Sequence, residues 1–471
     1  MSTGIPKEIP TETAGDAVDG DGKMMKRWKR YPAYKDSGVE WLGGVPVGWD
    51  VKRLKDSIEL CKNGVWGDDP NGKDDIRCIR VADFNRLSFT VNIENQTYRA
   101  VLNKDLNGRT LKNGDLLIEK SGGGEKQAVG TVVCYNLDNK AVCSNFIARL
   151  LISINYYANY LVYLHATLYS ICINQRSIKQ TTGIQNLDIH SYFNENVAYP
   201  PLPEQHAIAT FLDAQTARID TLIAKKERQI ELLKENRAAL ISHAVTKGLD
   251  PDAEMKDSGV EWLGEVPKHW EITKLTRLTT RIGDGLHGTP EYVDESPYYF
   301  INGNNLSDGS IKITSSTRCV SEDEFQKYSI TLDESTLLIS INGTIGNIAN
   351  YQAESIILGK SAAYINCGRL LSRSFLYFLL QSREVENFFQ YEMTGTTIYN
   401  LSLASIRNIP VPLPTFSEQN DIITYLDRET ARIDTLVEKV ETSIATLREY
   451  RTALISAAVT GKIDVRDEVV A

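Results

Sequence analysis

The nine residues KDSGVEWLG occur twice in this chain, at 35–43 and again at 256–264. A second block, ARIDTL, occurs at 217–222 and 431–436. The chain is therefore two copies of one unit, and that repeat has to be accommodated before any fold is assigned. The copies lie 221 residues apart at the first block and 214 apart at the second, so the middle of the first copy is longer by a net seven residues. The two middles share little sequence. Similar ends around dissimilar middles predict a common frame that carries two different recognition surfaces.

Each middle mixes short β-branched runs with turn chemistry. Strands are predicted at 115–119, 130–135 and 147–152, then at 336–341, 347–351 and 362–366. A helix is expected over 157–176 in the first copy and over 374–391 in the second. This is a mixed α/β fold in two globular domains. The predicted divisions are a disordered leader at 1–23, a first recognition domain at 24–200 and a long helix within 201–250. A second domain at 251–411, a second long helix within 412–464 and a tail at 465–471 follow. The leader has almost no large apolar side chains and cannot repay the entropy of ordering.

The two helices follow proline-rich hinges, PPLPEQ at 200–205 and VPLPTFSEQ at 411–419. Leu212, Ile219, Ile223, Ile230, Leu233, Leu240 and Ala244 fall on alternating three- and four-residue spacings. Leu426, Ile433, Val437, Val440, Ile444, Leu447, Leu454 and Ala458 repeat the seam. That is a coiled-coil pattern. Antiparallel pairing of the two helices would give the repeated chain an approximate two-fold axis; the alternative is two helices packed separately, each on its own domain. A helix of this length, at about 1.5 Å per residue, suits a ruler between two half-sites on DNA. The same symmetry predicts that Lys35 stands near Thr460, within the roughly 33–36 Å that ten residues can span.

Net charge is −9, and residues 34–200 carry 19 basic against 18 acidic groups while 251–411 carry 13 against 20. No segment has the excess needed to bind any nucleic acid by charge alone; if the chain binds DNA, it should do so selectively and with help from a basic partner. The short cluster Lys26, Arg27, Lys29 and Arg30, with Trp28 and Tyr31, reads either as a phosphate-binding arm or as a solvated basic tail. Seven cysteines form no CxxC pair and suit a reducing, cytoplasmic setting. The six histidines show no metal-ligand spacing, so no metal is expected. Gly283–Gly288 fits GxGxxG but runs into Thr289–Pro290 where a helix should open, and is rejected as a dinucleotide site. LGKS at 358–361 has Glu354 where a phosphate loop needs its first glycine. The run Gly122–Gly124 fits no nucleotide-binding pattern. The sequence offers no methyl-donor site, nuclease cluster or nucleophile triad, which favours a binding protein.

With KDSGVEWLG and its following Pro46 and Trp49 (Pro267 and Trp270 in the repeat), PLPEQ, ARIDTL and the tails ALISHAVTKGLD and ALISAAVTGKID, the chain resembles the specificity subunit of type I restriction–modification systems. LLIEKSGGGE, FINGNNL and SINGTIGN add to the likeness, which extends over about 25–464. The resemblance implies two target recognition domains, each reading half of a split, asymmetric DNA target. It implies two methyltransferase subunits docked on the helices and motor-nuclease restriction subunits in the full complex. It implies a non-catalytic chain without cofactors of its own; S-adenosylmethionine, ATP and Mg belong on partner subunits.

Groove readout favours Asn and Gln for adenine, Arg or Lys for guanine, and small residues where backbone approaches DNA. The candidates in the first copy are Arg80, Asn85, Lys120, Ser121, Gly122, Lys126, Gln127, Asn145, Gln180, Thr181, Thr182 and Gln185. In the second they are His287, Thr289, Asn302, Asn304, Asn342, Thr344, Lys360, Thr394, Thr396, Thr397 and Tyr399. Many of these are also ordinary turn formers. Two other functions compete: a coiled-coil scaffold holding two protein-binding heads, and an enzyme acting alone.

Overall fold

The computed structural model describes residues 28–468 except Asp74, Ile93, Asn95, Glu125, Lys126, Thr182, Thr396, Thr397 and Ile398. The predicted leader lies outside the described residues. The chain divides into two compact units, one comprising the chain up to Glu227 with Val440 onward, the other Arg228–Lys439. Each contains one variable body and a part of both long helices, Leu202–Lys247 and Phe416–Val459.

The two bodies share a topology that their sequences hide. In the first, Ile58–Asn63, Ile147–Ile152, Leu116–Glu119 and Val132–Cys134 are neighbours in that order, all antiparallel. In the second, Thr279–Asp284, Ala362–Cys367, Thr336–Ser340 and Ile348–Asn350 repeat the order and the sense. Beside this sheet each body has a parallel pair, Asp75–Ile79 with Ala141–Cys143 and Tyr299–Ile301 with Ile356–Leu358. The central strands Leu116–Glu119 and Thr336–Ser340 are buried on both faces; Leu116, Leu117, Ile118, Leu337, Leu338 and Ile339 are all fully buried. The helix Ala158–Ser170 covers the first sheet. In the second unit the single helix expected over 374–391 is two, Arg373–Leu380 and Arg383–Glu392. Ser382 is the reason: it takes an extended conformation and its hydroxyl accepts from the Val385 N–H, starting a new helix.

The repeated motifs are the frame. KDSGVEWLG forms a hairpin in each unit, Tyr34–Asp36 with Gly44–Pro46 and Met255–Asp257 with Glu265–Pro267. Trp49 and Trp270, both buried, donate from Nε1 to Glu204 (3.0 Å) and Glu418 (2.9 Å) in the first turns of the long helices. The next residue of each hinge locks the body: Gln205 donates to the Pro200 carbonyl and accepts from the Tyr157 N–H, and Gln419 does the same with Pro414 and Ser372. Pro203 sits in the first turn, where its missing N–H costs nothing, so the helix starts at the hinge itself. ARIDTL is repeated because its aspartate meets an arginine of the other helix. Arg451 pairs with Asp220 (2.9 Å) in the first unit and Arg237 with Asp434 (3.0 Å) in the second. In the first unit Arg448 also meets Glu227, so the helices run antiparallel there.

The chain closes on itself in the first unit as the symmetry requires. Lys462 donates to the carbonyls of Leu42 (2.8 Å) and Gly44 (2.7 Å), and Lys35 is paired with Val45 in the same hairpin. In the second unit Lys247 makes the corresponding bond to the Glu265 carbonyl. The two aromatic residues beside the basic cluster near the N-terminus, Trp28 and Tyr31, are part of this closure. Trp28 is buried against Phe211 (ring centroids 5.0 Å apart) and donates to Tyr450; Tyr31 is buried on Trp49 and donates to Glu204. Lys29 and Arg30 remain at the surface, and Lys26 and Arg27 lie outside the described residues.

His165, fully buried in the first unit, carries a pH prediction. Burial pushes its imidazole down to about 4, and Nδ1 meets the Tyr192 hydroxyl at 2.8 Å. An unfolded histidine titrates near 6.5, so between about 6.5 and 4 the unfolded chain binds the extra proton and stability falls as pH falls. The loss should approach about 3 kcal/mol and level off below pH ~4. Denaturant melts of His165→Phe, compared with the parent at pH 7 and 4.5, should show this acid sensitivity reduced.

Candidate nucleic-acid interface

The shared topology pairs the predicted residues of the two bodies position by position. Arg80 follows the strand Asp75–Ile79, and Asn302 follows Tyr299–Ile301. The Ser144 N–H donates to the Ile79 carbonyl, and the Gly359 N–H donates to the Ile301 carbonyl, both at 2.8 Å. Asn145 and Lys360, the next residues, are therefore equivalent, and both are exposed. Lys120 N–H donates to Phe146 O and Ile341 N–H to Ser361 O, which makes Ser121 equivalent to Asn342 and Gly122 to Gly343. Ser121 Oγ donates to Asn186 (2.7 Å), and Asn342 Nδ2 donates to Asn400 (3.4 Å).

This alignment finds a residue that sequence reading missed. NGVWGD at 63–68 is the counterpart of DGLHGT at 284–289, so Trp66 stands where His287 stands. The Val65 N–H bonds the Cys143 carbonyl and the Leu286 N–H the Leu358 carbonyl. A Cβ on Gly64 or Gly285 would collide with those same carbonyls, so both turns require glycine. The pattern G-x-(W/H)-G, at 64–67 and 285–288, is the signal the sequence carries. Trp66 is 38% exposed, with the Arg99 guanidinium 4.7 Å from its ring; His287 is exposed and bonds Asp284 at 2.6 Å. Phe146, 45% exposed beside Asn145, was also missed.

The structure gathers the first copy's candidates into two neighbouring groups. Arg80 and Asn145 line an open cleft of about 390 Å³ with Trp66 and Phe146. Ser121, Gly122, Gln180 and Gln185 share a small three-stranded sheet, with Gly122 opposite Gln185 and Gln180 opposite Gln185. Within it Gln185 is committed to the glycine loop, accepting from the Val129 N–H and donating to the Gly124 carbonyl. Lys120 connects the groups; burial holds its ammonium below the usual lysine range. Gln127 faces Arg86, and with its amide oxygen toward the guanidinium it accepts from Nε at 2.6 Å. Arg86 itself donates to Glu119 (2.8 Å), whose carboxyl is raised by burial and drawn back by that arginine. Asn85 stands apart: its Oδ1 accepts from the Leu87 and Ser88 N–H groups and holds a turn. Thr182 and Lys126 lie outside the described residues, as does the Thr181 side chain.

The second copy's candidates also form two groups. Asn342, Thr344, Thr394 and Tyr399 lie together, with Asn400 bridging to both Asn342 and Thr394 and the Gly343 N–H donating to the Tyr399 carbonyl (3.0 Å). His287, Lys360 and Asn302 surround the junction of Leu286 and Gly359, with Asn304 and Thr289 exposed alongside. Thr396 and Thr397 lie outside the described residues. The His, Cys, Asp and Glu side chains form no metal-binding cluster among the described residues, and no described helix is long and apolar enough to cross a membrane.

A family model described as the type I restriction modification DNA specificity domain matches residues 46–232 and 289–445, once on each copy. Similar proteins include the type I restriction enzyme MjaVIII specificity subunit of Methanocaldococcus jannaschii, 24% identical over 64% of this chain and 70% of that protein. The putative MjaX specificity subunit of the same organism is 23% identical over 90% of this chain and 96% of its own length. Among solved structures, a chain from work on complex assembly and conformational transition of the type I R-M system covers 90% of this chain and 99% of itself, with TM-score 0.68 at 15% identity. The HsdS subunit from Thermoanaerobacter tengcongensis covers 90% and 98%, with TM-score 0.50 at 17% identity. With the family model matching most of its length and both of its copies, the chain belongs to the type I restriction–modification DNA specificity family.

Proposed function

We propose that each body reads one half of a bipartite, asymmetric DNA target and that the chain does so without catalytic activity of its own. One observation carries this: a single topology, used twice, presents different side chains at equivalent places. Trp66, Arg80, Asn145 and Ser121 in one body answer to His287, Asn302, Lys360 and Asn342 in the other. A scaffold binding the same partner twice would gain nothing from this divergence, whereas two half-sites of different sequence require it. The near-neutral and acidic bodies supply little nonspecific attraction, so affinity is drawn from the methyltransferase subunits docked on the long helices, with restriction subunits completing the complex. S-adenosylmethionine, ATP and Mg act on those partners in a cytoplasmic assembly.

The test is long-read methylation sequencing of a host lacking other adenine methylation and carrying the complete system. The expected result is one asymmetric split motif that disappears when this chain is deleted. Methylation independent of the chain, or a motif whose two halves are the same, would refute the reading.

A further inference from the structure

Positions 80 and 302 occupy the same place in the two bodies, and both turns close the same way. The Arg80 N–H donates to Asp83 Oδ2 (2.8 Å) and the Asp83 N–H to the Arg80 carbonyl (3.0 Å). The Asn302 N–H donates to Asn305 Oδ1 (2.9 Å) and the Asn305 N–H to the Asn302 carbonyl (2.9 Å). The second turn closes with two neutral amides, so the charges of Arg80 and Asp83 are not needed to make the turn.

What the charges do is orient a fork. Arg80 Nε and Nη2 donate to the Asp83 carboxylate at 3.4 and 2.9 Å, which fixes the guanidinium plane. Nη1 has no partner among the described residues, and the side chain lines the open cleft between Trp66 and Phe146. A guanidinium so held offers two parallel donors, the complement of guanine O6 and N7. Asn302 is different. Its Oδ1 accepts from Ser361 Oγ (3.0 Å) and keeps a second lone pair, while its NH2 has no partner among the described residues. One donor beside one acceptor is the complement of adenine N7 and N6.

We propose that positions 80 and 302 are paired specificity-determining positions: Arg80 selects a G·C pair in the half-site of the first body, and Asn302 an A·T pair in that of the second. This rests on the reading that each body reads one half-site.

Two measurements on the assembled complex test it. Arg80→Asn with Asp83→Asn installs the second body's turn in the first. Methylation sequencing should then show one G·C position of one half relaxed or changed to A·T, with the other half intact. Independently of any variant, each guanine of the wild-type motif is replaced in turn by 7-deazaguanine in a duplex, and binding is measured. One guanine in the half assigned to the first body should lose affinity by about 5- to 150-fold, and the Arg80→Ala complex should no longer distinguish it. A half without a sensitive guanine, or an Arg80→Asn/Asp83→Asn motif identical to the parent's, overturns the proposal. If that variant fails to assemble, the wild-type deazaguanine series decides alone. A wild-type system giving no split motif would instead overturn the reading on which the proposal stands.

Discussion

Replacing Asp115 by asparagine should destabilise the first unit by about 3–5 kcal/mol, the cost of leaving a buried charge without its partner. Asp115 and Arg149 are both almost fully buried and meet at 2.7 and 3.0 Å, and Arg149 also donates to the Gly108 carbonyl. The carboxylate further accepts from the Lys112 N–H at 2.6 Å, so it holds a turn as well as a charge. Chemical denaturation should show the midpoint of the first unit falling. The double variant Asp115→Leu/Arg149→Met should recover most of the loss, because it removes both charges. Equal losses in the single and double variants would mean that the turn, and not the ion pair, carries the stability.

Gly64→Ala is the second large effect expected. A methyl group there would sit on the Cys143 and Ser144 carbonyls, which are backbone and cannot move aside cheaply. The cost should be on the order of 3 kcal/mol or more, at the upper end of overpacking. Gly285→Ala should do the same in the second unit, where the obstruction is Leu358 and Gly359. Alanine at Gly124, which has open space around it and an unexceptional backbone conformation, is the control and should change stability by less than about 1 kcal/mol. Circular dichroism melts of the three variants check the ranking.

The frame was legible in the sequence because it is written twice. KDSGVEWLG, the Glu–Gln of each hinge and the aspartate of ARIDTL make matching contacts in both units, and a contact made twice leaves a repeated word. The seam was legible for a different reason: Leu212, Ile219, Leu426 and Ile433 are buried at heptad spacing, and periodicity survives any change of side chain that keeps it apolar. The split at Ser382 was not visible, because a buried serine starting a helix looks the same in sequence as one inside it.

The candidate interface was legible only in part. Groove chemistry points to Asn, Gln, Thr and Gly alike and cannot separate Asn85, whose side chain closes a turn, from Asn304, which is exposed. Trp66 was missed because an isolated tryptophan carries no groove code and its counterpart is a histidine. Their equivalence lies in backbone bonds to Cys143 and Leu358, and those appear only once the strands are placed. Trp28 and Tyr31 stand in a basic segment of the sequence, but their rings fill the frame, and the neighbouring charges do not reveal that.

If the two bodies each read their own half-site, exchanging one of them should alter one half of the target alone. The structure marks the cut for the most direct test: the paired strands Asp50–Arg53 and Asn196–Tyr199 belong to the frame, and the Leu54 N–H donates to the Glu195 carbonyl at the neck of the first body. Residues 54–195 are exchanged for the corresponding segment of another family member, and the methylated motif of the complete system is sequenced. One half of the motif should become that of the donor while the other half stays as it was; a change in both halves, or in neither with methylation retained, would show that the bodies do not read their half-sites separately.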